Sequence, residues 1–218
     1  MKADLHIHTT YSSDGHQTPQ QVIDKCVELG IGIVAITDHN EFKAYDDVKD
    51  NGKVIVIPAE EVTSADGHIV ALGIDRQIPR DLGIQETIDL IHEAGGYAIA
   101  AHPYRRFTGL GPKNTRNFPF DGTEALNGRS TPGANRKSLK LANSIGKPVT
   151  AGSDAHRQEH MGEGYLILPD DITTWEEAVK AIMDGKGKPE GTSKGIIGLL
   201  TYTFGTFFRW VFRGFKWT

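Results

Sequence analysis

The chain has 218 residues, 38% of them hydrophobic and 24% charged, with a formal net charge of -4. That length suits one domain with a sizeable core, and the composition excludes a disordered polypeptide. The acidic balance excludes whole-surface attraction of polyanions, so any phosphate-bearing substrate has to be drawn in by local cations or metals.

Ala3 to Ile7 is a short apolar run broken by polar side chains, which predicts a strand ending in a functional loop. The opening Met1-Lys2-Ala3-Asp4 has no basic stretch followed by an apolar one, so no secretory leader is expected and the protein reads as cytoplasmic. Thr18 and Pro19 then offer a cap and a first helical residue. Val22, Ile23, Cys26, Val27 and Leu29 make one apolar face, and Gly30 is a helix stop. Cys26 is the lone cysteine, which excludes an intramolecular disulfide and fits a reducing compartment.

Ile31 to Ile36 is a continuous apolar run of the kind found in buried parallel strands. A polar helix around 41–50, a strand over Val54–Ile57, a helix over Ile84–Ala94 and a strand over Tyr97–Ala101 continue the alternation. Ser64-Ala65-Asp66-Gly67 lies between two strand-like stretches and carries an Asp-Gly turn signal, which predicts a hairpin. Past a loop at 104–119 come a strand near Gly122–Leu126, a helix over Ala134–Ile145, a strand over Pro148–Ala151 and an amphipathic helix over Trp175–Met183. Repeated βα units predict parallel strands with helices outside, as an open sheet or a barrel, with the chemistry at the carboxyl ends of the strands.

Four motifs each close an apolar run: Asp4-Leu5-His6-Ile7-His8, Thr37-Asp38-His39-Asn40, Ala101-His102-Pro103 and Gly152-Ser153-Asp154-Ala155-His156. Residues two apart on a strand share a face, so His6 with His8, and Asp154 with His156, form pairs able to grip an ion. Glu61 adds a carboxylate beyond the strand Val54–Ile57, and His68 adds an imidazole. Imidazole with carboxylate suits zinc, manganese or iron. One such histidine alone reads as a hydrogen-bonded loop residue; six of nine at strand ends or on the hairpin do not. His16, His92 and His160 fall in loop or helix contexts and are left out of the set. A Ser153-centred triad is disfavoured, because no nucleophile elbow surrounds that serine.

These motifs, together with Ser12-Ser13-Asp14-Gly15, resemble the signatures of the PHP (polymerase and histidinol phosphatase) family, in family order, over roughly residues 1–190. The resemblance implies a distorted seven-stranded (β/α) barrel, α/β in class, with a metal site at the carboxyl ends of the strands. It implies hydrolysis of phosphoesters with two or three divalent ions of zinc, manganese or iron, magnesium being admitted as well. Carried over by motif, it implies that His6, His8, Glu61 and Asp154 hold one ion, and Asp14, His39 and His156 a second. His68 and His102, with Glu61 bridging, hold a third. Ala59-Glu60-Glu61-Val62-Thr63 offers adjacent glutamates, and the spacing to Val62-Thr63 favours the second. Some family members carry histidine in place of Asp14, a change that bears on metal preference more than on reaction type.

Water held between two cations loses its proton near neutral pH and can attack phosphorus in line. His39, His68 and Asp154 are the candidate catalytic groups, either histidine serving to protonate the leaving oxygen. Arg105 and Arg106 directly follow His102-Pro103 and, with Arg129 and Arg157, are candidates for binding substrate phosphate; a solvated basic loop is the other reading of 105 and 106.

After Glu190 there are no acidic residues, and eight aromatic residues fall between Tyr202 and Trp217. Residues 191–218 therefore read as an aromatic and basic tail on a 1–190 domain. Two uses stand open for 195–218: peripheral contact with a membrane surface, or packing on the domain or a second copy. The leading functional expectation is a phosphoesterase for phosphomonoesters or short phosphodiesters of small metabolites or nucleotides, forming no stable nucleic-acid complex. The rivals are a 5′-end-directed exonuclease on short oligonucleotides and a metal-binding scaffold without catalysis.

Overall fold

The computed structural model describes residues 1–193. In chain order its elements are β1 (Lys2–Ile7), α1 (Pro19–Leu29), β2 (Ile31–Ile36), α2 (Lys43–Val48), β3 (Ile55–Ile57), β4 (Ala59–Ser64), β5 (Gly67–Leu72), α3 (Ile84–Glu93) and β6 (Tyr97–Ala100). Then follow α4 (Gly111–Asn117), β7 (Gly122–Asn127), α5 (Pro132–Ile145), β8 (Val149–Gly152), β9 (Gly164–Ile167), α6 (Trp175–Met183) and β10 (Lys188–Gly191). The proposed tail at 195–218, with its membrane or self-association reading, lies outside the described residues.

Local chemistry explains the boundaries. Thr18 caps α1 in a capping box with Gln21, Pro19 opens the helix, and Gly30 ends it at φ 65°, a left-handed turn that costs glycine nothing. Thr131 caps α5 by accepting the Ala134 N–H, and Thr174 caps α6 in a capping box with Glu177. Pro58 separates β3 from β4, so Glu61 sits inside a strand of its own rather than past the end of the one before. The Asp66-Gly67 turn joins β4 to β5 as expected, Ser64 pairing with Gly67 across the hairpin.

The strands form two mixed five-stranded sheets, ordered β10-β9-β1-β2-β3 and β4-β5-β6-β7-β8. The β1, β2 and β3 ladders are parallel, as are those of β6, β7 and β8, while β9, β10 and the β4–β5–β6 meander pair antiparallel. The closed seven-stranded barrel that the resemblance implies is therefore not formed among the described residues. The two sheets instead meet through single parallel bridges, Ile7 with Ala155 and His39 with Glu61, both where parallel strands end.

They nonetheless enclose one interior. Ala3, Leu5, Ile33, Ala35, Ile57, Val70, Leu72, Ile99, Ala151 and Leu166 form a buried cluster drawn from both sheets. The intervening residues of β2, Val34 and Ile36, face outward onto Val22, Ile23 and Cys26 of α1. On the other sheet Ile69, Ala71 and Ala98 meet Ile88 and Ile91 of α3. Alternation at period two thus gives each sheet an inner layer and a helix-covered outer layer. Loop 104–119 contains the short α4, unforeseen because Pro112 inside a Gly-, Asn- and Arg-rich stretch reads as a breaker.

Candidate metal centre

The site lies at the ends of β1, β2, β6 and β8 and on the β4–β5 hairpin. β1 delivers His6 and, one step past its end, His8; the two imidazole centroids lie 5.2 Å apart. His39 follows β2, His102 follows β6, and Asp154 and His156 follow β8. Asp154 and His102 have positive φ, 53° and 27°, uncommon for residues bearing a Cβ, and such strain clusters where geometry serves function. Gly152 lets β8 approach β1: a Cβ there would stand 2.3 Å from the Cβ of His6.

All nine anticipated ligands are brought together. Their donor atoms fall into four overlapping groups: His8, Asp14, His39 and His156; His6, His102 and Asp154; His6, His8 and Glu61; and His39, Glu61 and His68. Glu61, 1% exposed, is the hub. Its Oε2 lies 3.3 Å from His6 Nε2, 3.3 Å from His8 Nε2 and 3.2 Å from His39 Nδ1. Its Oε1 lies 3.0 Å from His68 Nδ1 and 2.9 Å from His102 Nε2. Glu60 turns to the other face of β4, where its Oε1 accepts the Ile78 N–H at 2.7 Å, so the hub is the second glutamate of the pair.

The residues fit divalent cations on a direct test. The ring nitrogens His6 Nε2, His8 Nε2, His39 Nδ1 and His102 Nδ1 are buried and make no hydrogen bond. In His6 the other nitrogen, Nδ1, pairs with Glu124 Oε1 at 2.9 Å, and in His8 Nδ1 pairs with Ser12 Oγ at 3.2 Å. When Nδ1 carries the donated proton, Nε2 points its lone pair into the cluster, the arrangement by which a carboxylate or hydroxyl behind a histidine sets it up as a ligand. The facing separations of 3.2 to 3.4 Å between the first three of these nitrogens, those of His6, His8 and His39, and carboxylate oxygens are long for charged hydrogen bonds. They match the roughly 3.4 Å edge between neighbouring ligands of an ion bound tetrahedrally at about 2.1 Å.

The local electrostatics point the same way. Burial works against ionisation of Asp154, yet Arg105, His6 and Arg129 hold its carboxyl well below the usual range. Burial is likewise overruled at Glu61 by His6, His68 and His39. His8, despite burial, is raised to about 9 by Asp154 and Glu61, a measure of how strongly this cluster attracts positive charge. Burial pushes His39 down to about 3 and His156 to about 4, and with Arg105 nearby holds His102 at about 4. Those three imidazoles are neutral donors at physiological pH. Asp14 is held low, burial being outweighed by His156, whose Nε2 is 2.8 Å away.

A second layer escaped the sequence reading. Glu124 accepts from His6 and, at 2.8 Å, from the His102 N–H. Asn127 donates to Glu124 Oε1 and to Asp154 Oδ2, both at 3.0 Å. Asp38 accepts from Thr9 and Ser12, backbone and hydroxyl of each, and so folds the loop that carries Asp14. The one available signal for Glu124 was an ionisable residue inside a predicted strand, Gly122–Leu126.

A cavity of about 600 Å³ opens onto the cluster, lined by Asp14, His39, Glu61, His68 and Asp154 and, beyond them, by residues 104–108 and 129–131. Arg105 Nη2 reaches Asp154 Oδ2 at 2.6 Å, and Arg129 Nη1 reaches Asp154 Oδ1 at 3.2 Å. Arg106 lines the outer part, whereas Arg157 is not on the cavity wall. Neither is Ser153, whose N–H donates to Asp4 at 2.8 Å. His92 and His160 lie away from the cluster, paired with Asp121 and Glu163 at 2.7 and 2.8 Å.

Comparison with known proteins adds independent findings. The family model for the PHP domain matches residues 4–110, and that described as PHP-associated matches 132–186. An uncharacterised protein of Methanocaldococcus jannaschii is 36% identical over 140 residues, 58% of this chain and 82% of that protein. The 5′-3′ exoribonuclease Rnm of Salmonella typhimurium is 32% identical over 211 residues, covering 85% of this chain; the match spans 62% of the exoribonuclease. Among solved structures, a two-domain protein of Bacteroides vulgatus containing a predicted PHP-like metal-dependent phosphoesterase superposes with a TM-score of 0.75 at 16% identity. That match covers 94% of this chain and 69% of the other, and shows likeness of fold.

Proposed function

Since the chain belongs to the PHP family, we propose that it is a metal-dependent hydrolase of phosphoric esters, acting on phosphomonoesters or short phosphodiesters of small metabolites or nucleotides. The observation that carries this reading is the set of buried ring nitrogens without hydrogen bonds, two of them backed by Glu124 and Ser12, those of His6, His8 and His39 facing ionised carboxylates. A structural role alone gives no reason to leave such groups unpaired, because each buried polar atom without a partner costs about 1–3 kcal/mol.

His6, His8, Glu61 and Asp154 would hold one divalent ion, Asp14, His39 and His156 a second, and His68 and His102 with Glu61 a third. Ions bound there lower the pKa of water and neutralise charge on phosphoryl oxygens. The chain's own contribution is placement. Glu124 and Asn127 orient His6, His102 and Asp154; Arg105 and Arg129 bring planar cationic donors to the cavity, where they suit phosphate oxygens. His39 and His68 both line the cavity; His68 would be the one to pass a proton to a leaving oxygen, because burial keeps His39 neutral at physiological pH.

A second reading, a 5′-end-directed exonuclease, is favoured by one specific finding: the exoribonuclease relative that aligns over 85% of this chain. It uses the same ions with a longer substrate. Hydrolysis of p-nitrophenyl phosphate, a mononucleotide and a 5′-phosphorylated dinucleotide by protein supplied with manganese or zinc separates the two. Turnover of the first two supports the phosphomonoesterase, cleavage of the dinucleotide alone supports the exonuclease, and hydrolysis of none overturns both. Arg105→Ala should raise KM for phosphorylated substrates by about tenfold or more, the loss of a charged hydrogen bond; an unchanged KM would remove Arg105 from the phosphate site.

A further inference from the structure

Phe107 is 96% exposed, unlike the other large hydrophobic side chains of the described residues, and its φ is 74°. A bulky residue gains nothing locally from either property: the left-handed region is unfavourable for it, and a bare ring in water forgoes burial. It is not a loose tip. Arg105, two residues earlier, is fixed by its guanidinium on Asp154 and Asn127. Thr108, one residue later, accepts the His68 N–H through its carbonyl at 3.0 Å. Behind them Gly109 packs so closely that a Cβ would lie 2.6 Å from the carbonyl oxygen of His102. The ring is thus carried between two anchors, both tied to residues of the metal cluster.

Phe107 also lines the same cavity as Arg105, Arg129 and the carboxylates, at its outer part, with Arg106 lying 5.4 Å from the ring centroid. The inner end presents charge to a phosphate, and the outer end presents an aromatic face with a neighbouring guanidinium. A ligand satisfying both ends has an anionic phosphate and a planar, electron-rich ring a short spacer away. We infer that Phe107 is a stacking platform for a nucleobase, so the proposed hydrolase takes nucleotides or nucleotide 5′-ends rather than simple sugar phosphates. This rests on the hydrolase reading for its chemistry, but the recognition is separable from turnover. Stacking between a base and an aromatic ring is tolerant of sequence and typically worth roughly fivefold to hundredfold in affinity per base.

The test is equilibrium binding by calorimetry on the full, metal-supplied chain, with adenosine 5′-monophosphate and ribose 5-phosphate as paired probes. The expected result is that the nucleotide binds at least about fivefold more tightly than the sugar phosphate. Phe107→Ala closes that gap, Phe107→Trp keeps it, and Arg129→Ala, which removes a cavity guanidinium that does not anchor Phe107, weakens both probes while leaving their ratio. Equal affinities in the unaltered protein, or a gap that survives Phe107→Ala, would overturn the inference. Hydrolysis of each probe, followed separately by phosphate release, bears on the catalytic reading: a protein that discriminates the base without turnover keeps the platform and loses the hydrolase.

Discussion

Glu61 presents one oxygen to His6, His8 and His39 and the other to His68 and His102, so a single carboxylate serves two sets of imidazoles. Glu61→Gln keeps the shape and removes the charge. We expect it to lower bound metal by at least one equivalent and hydrolysis by roughly a hundredfold or more; full metal content by elemental analysis would deny the residue its bridging role. Glu124→Gln leaves every proposed ligand in place, yet should weaken metal affinity about 10- to 100-fold, because the carboxylate behind His6 is what aims it. Glu60 answers to a different test. Burial pushes its carboxyl up to about 8, from 4.5, so over that interval the folded chain holds a proton that the unfolded chain has released. The associated stability is full below the lower value and fades as pH rises through the upper one, by at most about 1.4 kcal/mol per pH unit. Glu60→Gln should flatten that slope in denaturant titrations; an unaltered slope would show that Glu60 is ionised in the fold. At this scale six of the nine donor residues, His6, His8, His39, His102, Asp154 and His156, were legible in the sequence because each sits in a motif that ends a strand; Glu61 and His68 stood out as an acid and an imidazole around the expected hairpin, and Asp14 only through the family resemblance. Glu124, Asn127 and Asp38 were not, since their role arises from neighbours more than twenty residues away in the chain.

Among the elements, the strands built from unbroken isoleucine and valine runs were readable, as were the helices with a threonine cap and a glycine stop. β9 and β10 were not: Lys188-Pro189-Glu190-Gly191 has neither alternation nor β-branching, and its pairing comes from the ladder it extends. The implied barrel could not be checked against periodicity, which says which residues are inside but not whether a ladder closes. The close approach of β8 to β1 depends on one missing side chain. Gly152→Ala would drive a methyl to 2.3 Å from the His6 Cβ, and 2.6 Å from its backbone nitrogen. Overpacking of that kind costs about 1–3 kcal/mol, and here it displaces a ligand. Both the melting temperature and the number of bound ions should fall; a loss of stability with full metal content would show that β1 yields without moving His6.

For the whole molecule, donors reaching from His6 to His156 make metal loading and folding one equilibrium. Ion at about a hundredfold excess over its dissociation constant should raise the melting temperature of chelator-treated protein by roughly 5–10 °C. No rise by calorimetry would mean that these side chains hold no ion in the folded state. The bridges Ile7–Ala155 and His39–Glu61 are the only sheet-to-sheet pairings among the described residues, and the donors crowd around both. An ion gripped there staples segments nearly the length of the described chain apart, closing a long loop whose entropic gain rises only slowly with its span. Such a staple resists parting of the two sheets as units and leaves local fraying alone. Chelation should therefore speed amide exchange at His8 and Asp154, which donate across the β1–β8 boundary, while the outer turns of α5 exchange at an unaltered rate.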